Sequence, residues 1–456
     1  MSAPFAGRRR KIAPYDVPLH PGEAASRDAL ACYAADKAAA LNQHVLGYGE
    51  LAESEWAARG LWAPDLDNMR LYRLERVREQ VRRLDVVGVL VYDPVNIRYA
   101  TDATDMQVWC LHNPVRYAWV GADGRVVLWD FHNCEHLSRH LDLIDEVRHA
   151  QSWYFFGNGG RVGEMATRWA EEVADVVRGG NASRGRVQIA VDRLDPVGVG
   201  ALSRLGVEVV DGAEVMELAR CIKSPDEILA IGRSVAACEA AVGGMADALR
   251  PGVTENDLWS VLHAENIRRG GEWIETRLLS SGPRTNPWFQ ESSARVIEAG
   301  DLVAFDTDLV GPYGYCTDFS RTWLAGDGAP TSEQRALYAL ARDQVEENVA
   351  LLRPGLAFRE LAERARSVPG DCLANRYSVL AHGVGLCDEY PSVPYLEDWE
   401  VAGYDGHLEA GMTLSVESYV GRLGGHEGVK LEQQVLLTEA GAELISTFPY
   451  DAALSA

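Results

Sequence analysis

Five carboxylates and one imidazole interrupt apolar, strand-like runs in the C-terminal half of this chain, and a core cannot hold such groups apart from one another without a large cost. In "VAFDTDLVGPYGYCTDF" the acids Asp306 and Asp308 are two apart, and the strand period of two sets both carboxylates on one face. The "GPYG" turn returns Asp318 on the adjacent strand, directly opposite Asp306 if the loop is odd in length. Glu417 in "TLSVESYV" and Glu432 in "VKLEQQV" each break an apolar strand, and His382 follows the apolar "YSVLA". Acids clustered in this way do not stay ionised without a compensating cation. Oxygen and nitrogen donors of this number describe a dinuclear site for Mn, Fe, Co or Zn, with Asp and Glu bridging two ions.

A chain of 456 residues is too long for one ordinary core and predicts two or three domains. Residues 1–65 read as an Ala-rich helical arm, broken by Gly60 and Pro64. Over 66–215 helical and strand patterns alternate, with a helix at "RLERVREQVRRL", a buried strand at "VVGVLVYD", a hairpin turning at Asp123-Gly124, and strands at "RVQIAVD" and "VEVVDG". The last domain, 216–456, opens on a long helix at "SPDEI", where Ser224 caps, Pro225 takes the first position and Glu227 completes a capping box. Further helices start at Thr254 and near Thr331.

Acids outnumber bases 67 to 44, a net charge of -23 that argues against a nucleic-acid partner. No apolar run of membrane-spanning length is evident, so no membrane partner is expected. The basic run Arg8–Lys11 is not followed by a signal-peptide core, and the expectation is a cytoplasmic enzyme. The eight cysteines form no CxxC pair and read as free thiols.

The order "FDTD", "CTDFSRT", "HGVG", "GMTLSVES", "GVKLEQQVLLTEAG" resembles the pita-bread superfamily of methionine aminopeptidase, prolidase and creatinase, over about residues 70–445. The resemblance implies an α+β fold, a C-terminal pita-bread metal domain preceded by a creatinase-like α/β N-terminal domain. It also implies metal ligands at Asp306, Asp318, His382, Glu417 and Glu432, with Asp308 as an added acid and a sixth candidate.

Three departures separate the chain from the peptidases of that superfamily. Asp318 follows Asp306 by twelve positions where the peptidases usually have eleven. Trp288, in "GPRTNPWFQESS", stands about where they carry a histidine. The usual "HGVGLxxHExP" is one residue shorter here, "HGVGLCDEYP", and Asp388 replaces a second histidine. Those histidines serve amide hydrolysis, whereas a carboxylate beside a metal suits removal of a proton next to a substrate carboxylate.

This combination resembles the DddP-type dimethylsulfoniopropionate lyases. The resemblance implies β-elimination of that zwitterionic sulfonium to dimethyl sulfide and acrylate, with Asp388 as base, Tyr377 and Trp288 against the substrate, iron as the metal, and a homodimer. Cation–π attraction would let the two aromatic rings face the sulfonium. The rivals are a hydrolase of the Xaa-Pro dipeptidase or creatinase type and a non-enzymatic binding module. Two further motifs carry no function: "HNCEH" reads as a helix surface without zinc spacing, and "GNGGRVG" as a flexible loop without the nucleotide-binding order.

Overall fold

The computed structural model describes residues 11–12, 47–132, 134–179 and 187–456. The expected helical arm lies outside the described residues up to residue 46, apart from the two-residue strand Lys11–Ile12. The chain divides into two compact units, one holding residues 66–220 and the other 48–65 with 221–456. The described end of the arm, the helix Glu50–Ala58, is therefore part of the second unit, where Trp56 is buried and its indole N–H donates to the Arg233 carbonyl at 2.9 Å.

The first unit is built on a seven-stranded mixed sheet. Its strands are β1 (Lys11–Ile12), β2 (Gly88–Val91), β3 (Tyr117–Gly121), β4 (Val126–Asp130), β5 (Glu146–His149), β6 (Val187–Val191) and β7 (Val207–Asp211), in the order β1-β5-β4-β3-β2-β6-β7. The predicted hairpin joins β3 to β4 through Gly124, whose φ of 93° is a left-handed conformation that glycine adopts without a Cβ clash. Trp129, Trp153 and Trp169 fill the core between the sheet and the amphipathic helix Val162–Val177. Two expectations are corrected here. The "GNGGRVG" stretch is the entry to that helix, a 3-10 turn at Gly159–Arg161 and then helix from Val162, because its small residues follow a short turn that leads straight into an apolar helical pattern. Among its described residues the "HNCEH" region meets a 3-10 turn, Glu135–Ser138, too short to present a helix face.

The second unit carries three sheets. A three-stranded sheet has the order β13-β10-β9, from β9 (Leu279–Ser281), β10 (Leu302–Asp306) and β13 (Ser320–Leu324). Another has the order β12-β11-β8, from β8 (Trp273–Ile274), β11 (Leu309–Val310) and β12 (Cys316–Thr317). The five-stranded sheet β15-β14-β16-β17-β18 uses β14 (Val379–Val384), β15 (Asp388–Pro394), β16 (Thr413–Gly421), β17 (Gly428–Thr438) and β18 (Gly441–Leu444).

Helices Pro225–Ala248, Glu255–Arg268 and Ser332–Leu351 each begin on a complete capping box, with Ser224, Thr254 and Thr331 as caps. Each box satisfies two otherwise orphaned backbone donors, and an N-cap of this kind is worth about 1 kcal/mol. Pro225–Ala248 is long and apolar enough to cross a membrane by length and composition, which corrects the expectation that no such run exists. Its most apolar window is 67% buried, and Cys238, Ala241, Val242 and Met245 pack against Trp259, Phe305 and Phe319.

The run "VAFDTDLV" is not one strand. It breaks at Thr307-Asp308, so Asp306 ends β10 and Asp308, at φ 36°, precedes β11. The Thr307 hydroxyl takes over the ladder there, donating to the Thr317 carbonyl at 2.9 Å and accepting from the Phe319 N–H at 3.0 Å. In consequence Asp306 pairs with Ser320, and Asp318 falls between β12 and β13, not opposite Asp306.

Candidate active site

Register in the five-stranded sheet brings one imidazole and two carboxylates together. Glu417 on β16 faces Glu432 on β17, and Ser415 pairs with both His382 on β14 and Gln434 on β17. Because side chains alternate across a strand, residues two apart share a face, which sets Ser415 beside Glu417 and Lys430 beside Glu432. Ser415 then donates to the Asp318 carbonyl at 2.9 Å, and the Asp318 N–H donates to Gln434 Oε1 at 3.3 Å. These two bonds tie the loop that carries Asp318 onto the sheet that carries the glutamates.

The ligating atoms of Asp306, Asp318 and Glu432 lie within 4.8 Å of one another, as do those of His382, Glu417 and Glu432, and those of Asp318, His382 and Asp388. Glu432, Asp318 and His382 each belong to two groups. His382 Nε2 is 3.3 Å from Asp318 Oδ2, 3.6 Å from Glu417 Oε1 and 3.7 Å from Glu432 Oε1. Its other nitrogen, Nδ1, lies 3.0 Å from the Gly383 carbonyl, which can only accept, so Nδ1 carries the proton and Nε2 faces the acids. Asp318 Oδ1 and Glu432 Oε1 are buried with no hydrogen-bond partner among the described residues. Buried anionic oxygens without donors are what a bound cation satisfies, so this donor set fits a metal ion.

Asp308 stands apart from those groups; its Oδ2 accepts from the Thr276 hydroxyl at 2.5 Å. Its carboxyl is pushed from 3.8 up to about 7, chiefly by burial and then by the neighbouring Asp388 charge. Burial also lifts Asp306, Asp318 and Glu417 above the ordinary range, with Glu432 adding to each. Burial acts against Glu432 as well, but Lys430 and His382 hold it low.

Asp388 begins β15 directly opposite Val384, just beyond the tight turn after β14, with its side chain half exposed. Its Oδ1 is 3.8 Å from His382 Nδ1, beyond hydrogen-bond length. Surrounding protein raises its pKa, His382 opposing and Glu432 reinforcing. Trp288 is buried in a small aromatic cluster with Tyr419, and its indole N–H has no partner among the described residues. Tyr377 packs against the same cluster and stacks on the exposed Phe289.

Lys430 is the group sequence reasoning missed. Its ammonium is wholly buried among Asp306, Glu417 and Glu432 and stands 4.9 Å from the Tyr377 ring centroid and 5.9 Å from that of Trp288. Both rings that were expected to face a substrate cation already face a cation of the protein. The available signal was its place in "VKLEQQV", two before Glu432 and therefore on the same strand face.

The sequence profile of metallopeptidase family M24 matches residues 230–439. Two curated relatives, both dimethylsulfoniopropionate lyase DddP, are 45% identical in Roseovarius nubinhibens and 44% identical in Roseobacter denitrificans, each over 91% of this chain and 93% of the relative. The chain belongs to the DddP family. Among solved structures it is similar to an Xaa-Pro dipeptidase from Bacillus anthracis, with TM-score 0.68, 22% identity, and coverage of 84% of this chain and 98% of that one. The prolidase from Pyrococcus horikoshii is similar too, with TM-score 0.66 and 20% identity over 83% and 99% of the two chains. Those likenesses show the pita-bread fold for this chain, and the M24 match implies use of a divalent metal, for which the acid cluster is the candidate site.

Proposed function

We propose that this chain is a metal-dependent lyase that cleaves dimethylsulfoniopropionate to dimethyl sulfide and acrylate. The two relatives of that name, similar over nearly the whole chain, support the substrate and reaction. The observation that carries the mechanism is Asp388, a half-exposed carboxylate beside the acid cluster whose nearest imidazole nitrogen already has the Gly383 carbonyl as its acceptor. A carboxylate not spent on orienting that histidine can serve as a general base, and its raised pKa suits the task.

A metal held by Asp306, Asp318, His382, Glu417 and Glu432 would supply, when bound, Lewis-acid charge for the substrate carboxylate and for the charge developing on the adjacent carbon. Asp388 takes the proton from that carbon. The C–H electron pair becomes the new C=C bond, and the C–S pair leaves with sulfur as neutral dimethyl sulfide, so no acid is needed at the leaving group. The exposed side of Asp388 lets solvent take the proton afterwards. Trp288 and Tyr377 form an aromatic wall beside the acid cluster, Tyr377 stacked on the exposed Phe289.

Two ions are proposed because the donor groups overlap at Asp318 and Glu432, and Asp308 is the sixth candidate ligand once Thr276 yields it. Iron rests on the family resemblance, since the ligand set itself accommodates Mn, Fe, Co or Zn. Free cysteines at seven described positions agree with a cytoplasmic, reducing location, and the homodimer rests on the family resemblance. Release of dimethyl sulfide and acrylate in equal amounts by the purified, metal-loaded protein tests the proposal; a fully loaded protein that releases neither sinks it.

A further inference from the structure

Lys430 and His382 divide the glutamates between them. Lys430 Nζ is 2.5 Å from Glu417 Oε2 and 3.0 Å from Glu432 Oε2, while His382 Nε2 faces Oε1 of both. The ammonium also reaches Asp306 Oδ2 at 3.0 Å and donates to Ser320 Oγ at 2.7 Å. That serine lies within hydrogen-bond distance of Asp306 Oδ1 (2.8 Å) and Glu432 Oε2 (2.7 Å), so lysine and serine together hold the outer oxygens. What remains is Glu432 Oε1, buried and without a donor among the described residues, on the side that His382 Nε2 faces.

We propose that Lys430 is a positioning residue of the candidate metal centre, holding Asp306, Glu417 and Glu432 together from three sides before a metal binds. This rests on the metal-centre reading above but not on the identity of the reaction. The buried ammonium also offsets part of the like-charge repulsion that ligand carboxylates exert on one another before metal arrives. Outer-sphere partners of this kind commonly set metal affinity by 10–100-fold.

The test is Co²⁺ binding to the full chain, read by competition with a chromophoric chelator and by the visible spectrum of the bound ion. Lys430→Met is expected to weaken Co²⁺ affinity about 10–100-fold and to change the spectrum, while Lys430→Arg, which keeps a cationic donor, recovers most of the affinity. A folded Lys430→Met protein that binds Co²⁺ with wild-type affinity and spectrum overturns the proposal. Tighter binding by that variant overturns it too, since the ammonium would then be a competitor for the metal's place. A crystal structure of the Co²⁺-loaded wild type needs no variant: the proposal expects Lys430 still in contact with the carboxylates of Glu417 and Glu432, and a lysine displaced from both refutes it. Dimethyl sulfide release, measured separately, tells a failure of this inference from a failure of the proposed reaction.

Discussion

Glu417 and Glu432 stand directly opposite each other in the β16/β17 ladder, both fully buried. Like charges in that relation destabilise a sheet, so these strands give up stability to assemble the site. Lys430 offsets part of the repulsion, and two buried carboxylate oxygens, Asp318 Oδ1 and Glu432 Oε1, are still left without a donor among the described residues.

Metal should therefore stabilise the fold strongly. At a free concentration 100-fold above its Kd, a single bound ion adds about 2.7 kcal/mol. For a unit of this size that raises the Tm by about 5–10 °C. Thermal melts of chelated and Co²⁺-loaded protein measure it, and coincident melts would contradict the account.

Asp318→Asn should separate stability from function. Replacing a buried carboxylate that has an unpartnered oxygen is expected to stabilise the metal-free protein by about 1–3 kcal/mol. The same change should abolish the metal-induced rise in Tm. Urea titrations without metal and melts with it read the two effects, and a metal-free variant less stable than wild type would count against the burial argument.

Asp308 should make the metal-free protein pH-sensitive. Burial first, and the Asp388 charge next, raise its carboxyl from 3.8 to about 7, so the folded state holds that proton more tightly than the unfolded chain. Its contribution to stability is full below about pH 4 and is lost as pH rises through about 7. Relative to Asp308→Asn, the metal-free wild type should lose stability on the order of a few kcal/mol across that window. Parallel stability curves for the two proteins would show that Asp308 does not titrate there.

Asp388 is followed on β15 by Glu389, which is buried and paired with the equally buried Lys223. Lys223→Met should cost about 3–5 kcal/mol by leaving Glu389 without its lysine. Because the pair anchors the start of β15, catalysis should fall with stability. Denaturant midpoints and dimethyl sulfide release for the variant check both; unchanged values would mean that β15 is held elsewhere.

The carriers of the site were legible because strand period and cap chemistry are local. "TLSVESYV" and "VKLEQQV" are the paired strands β16 and β17, and Ser224, Thr254 and Thr331 open helices as their side chains dictate. The Thr307-Asp308 break was not legible, because it depends on a threonine hydroxyl reaching a carbonyl and an amide of a different strand. The same break moved Asp306 opposite Ser320 and set Asp308 against Thr276. Lys430 was legible in part, as the residue two before Glu432, but its other acceptors lie on three other strands, β10, β13 and β16. The aromatic rings of Trp288 and Tyr377 were found by resemblance, whereas the ammonium facing them depends on tertiary packing.

The central claim is that a metal-bearing acid cluster and the Asp388 base perform an elimination. The most direct measurement compares wild type and Asp388→Asn for dimethyl sulfide released from dimethylsulfoniopropionate, at equal and verified metal content. The account predicts release by the wild type and a loss of at least about 100-fold in the variant, with metal content and Tm unchanged. A fully metallated Asp388→Asn protein that releases dimethyl sulfide at the wild-type rate would contradict it.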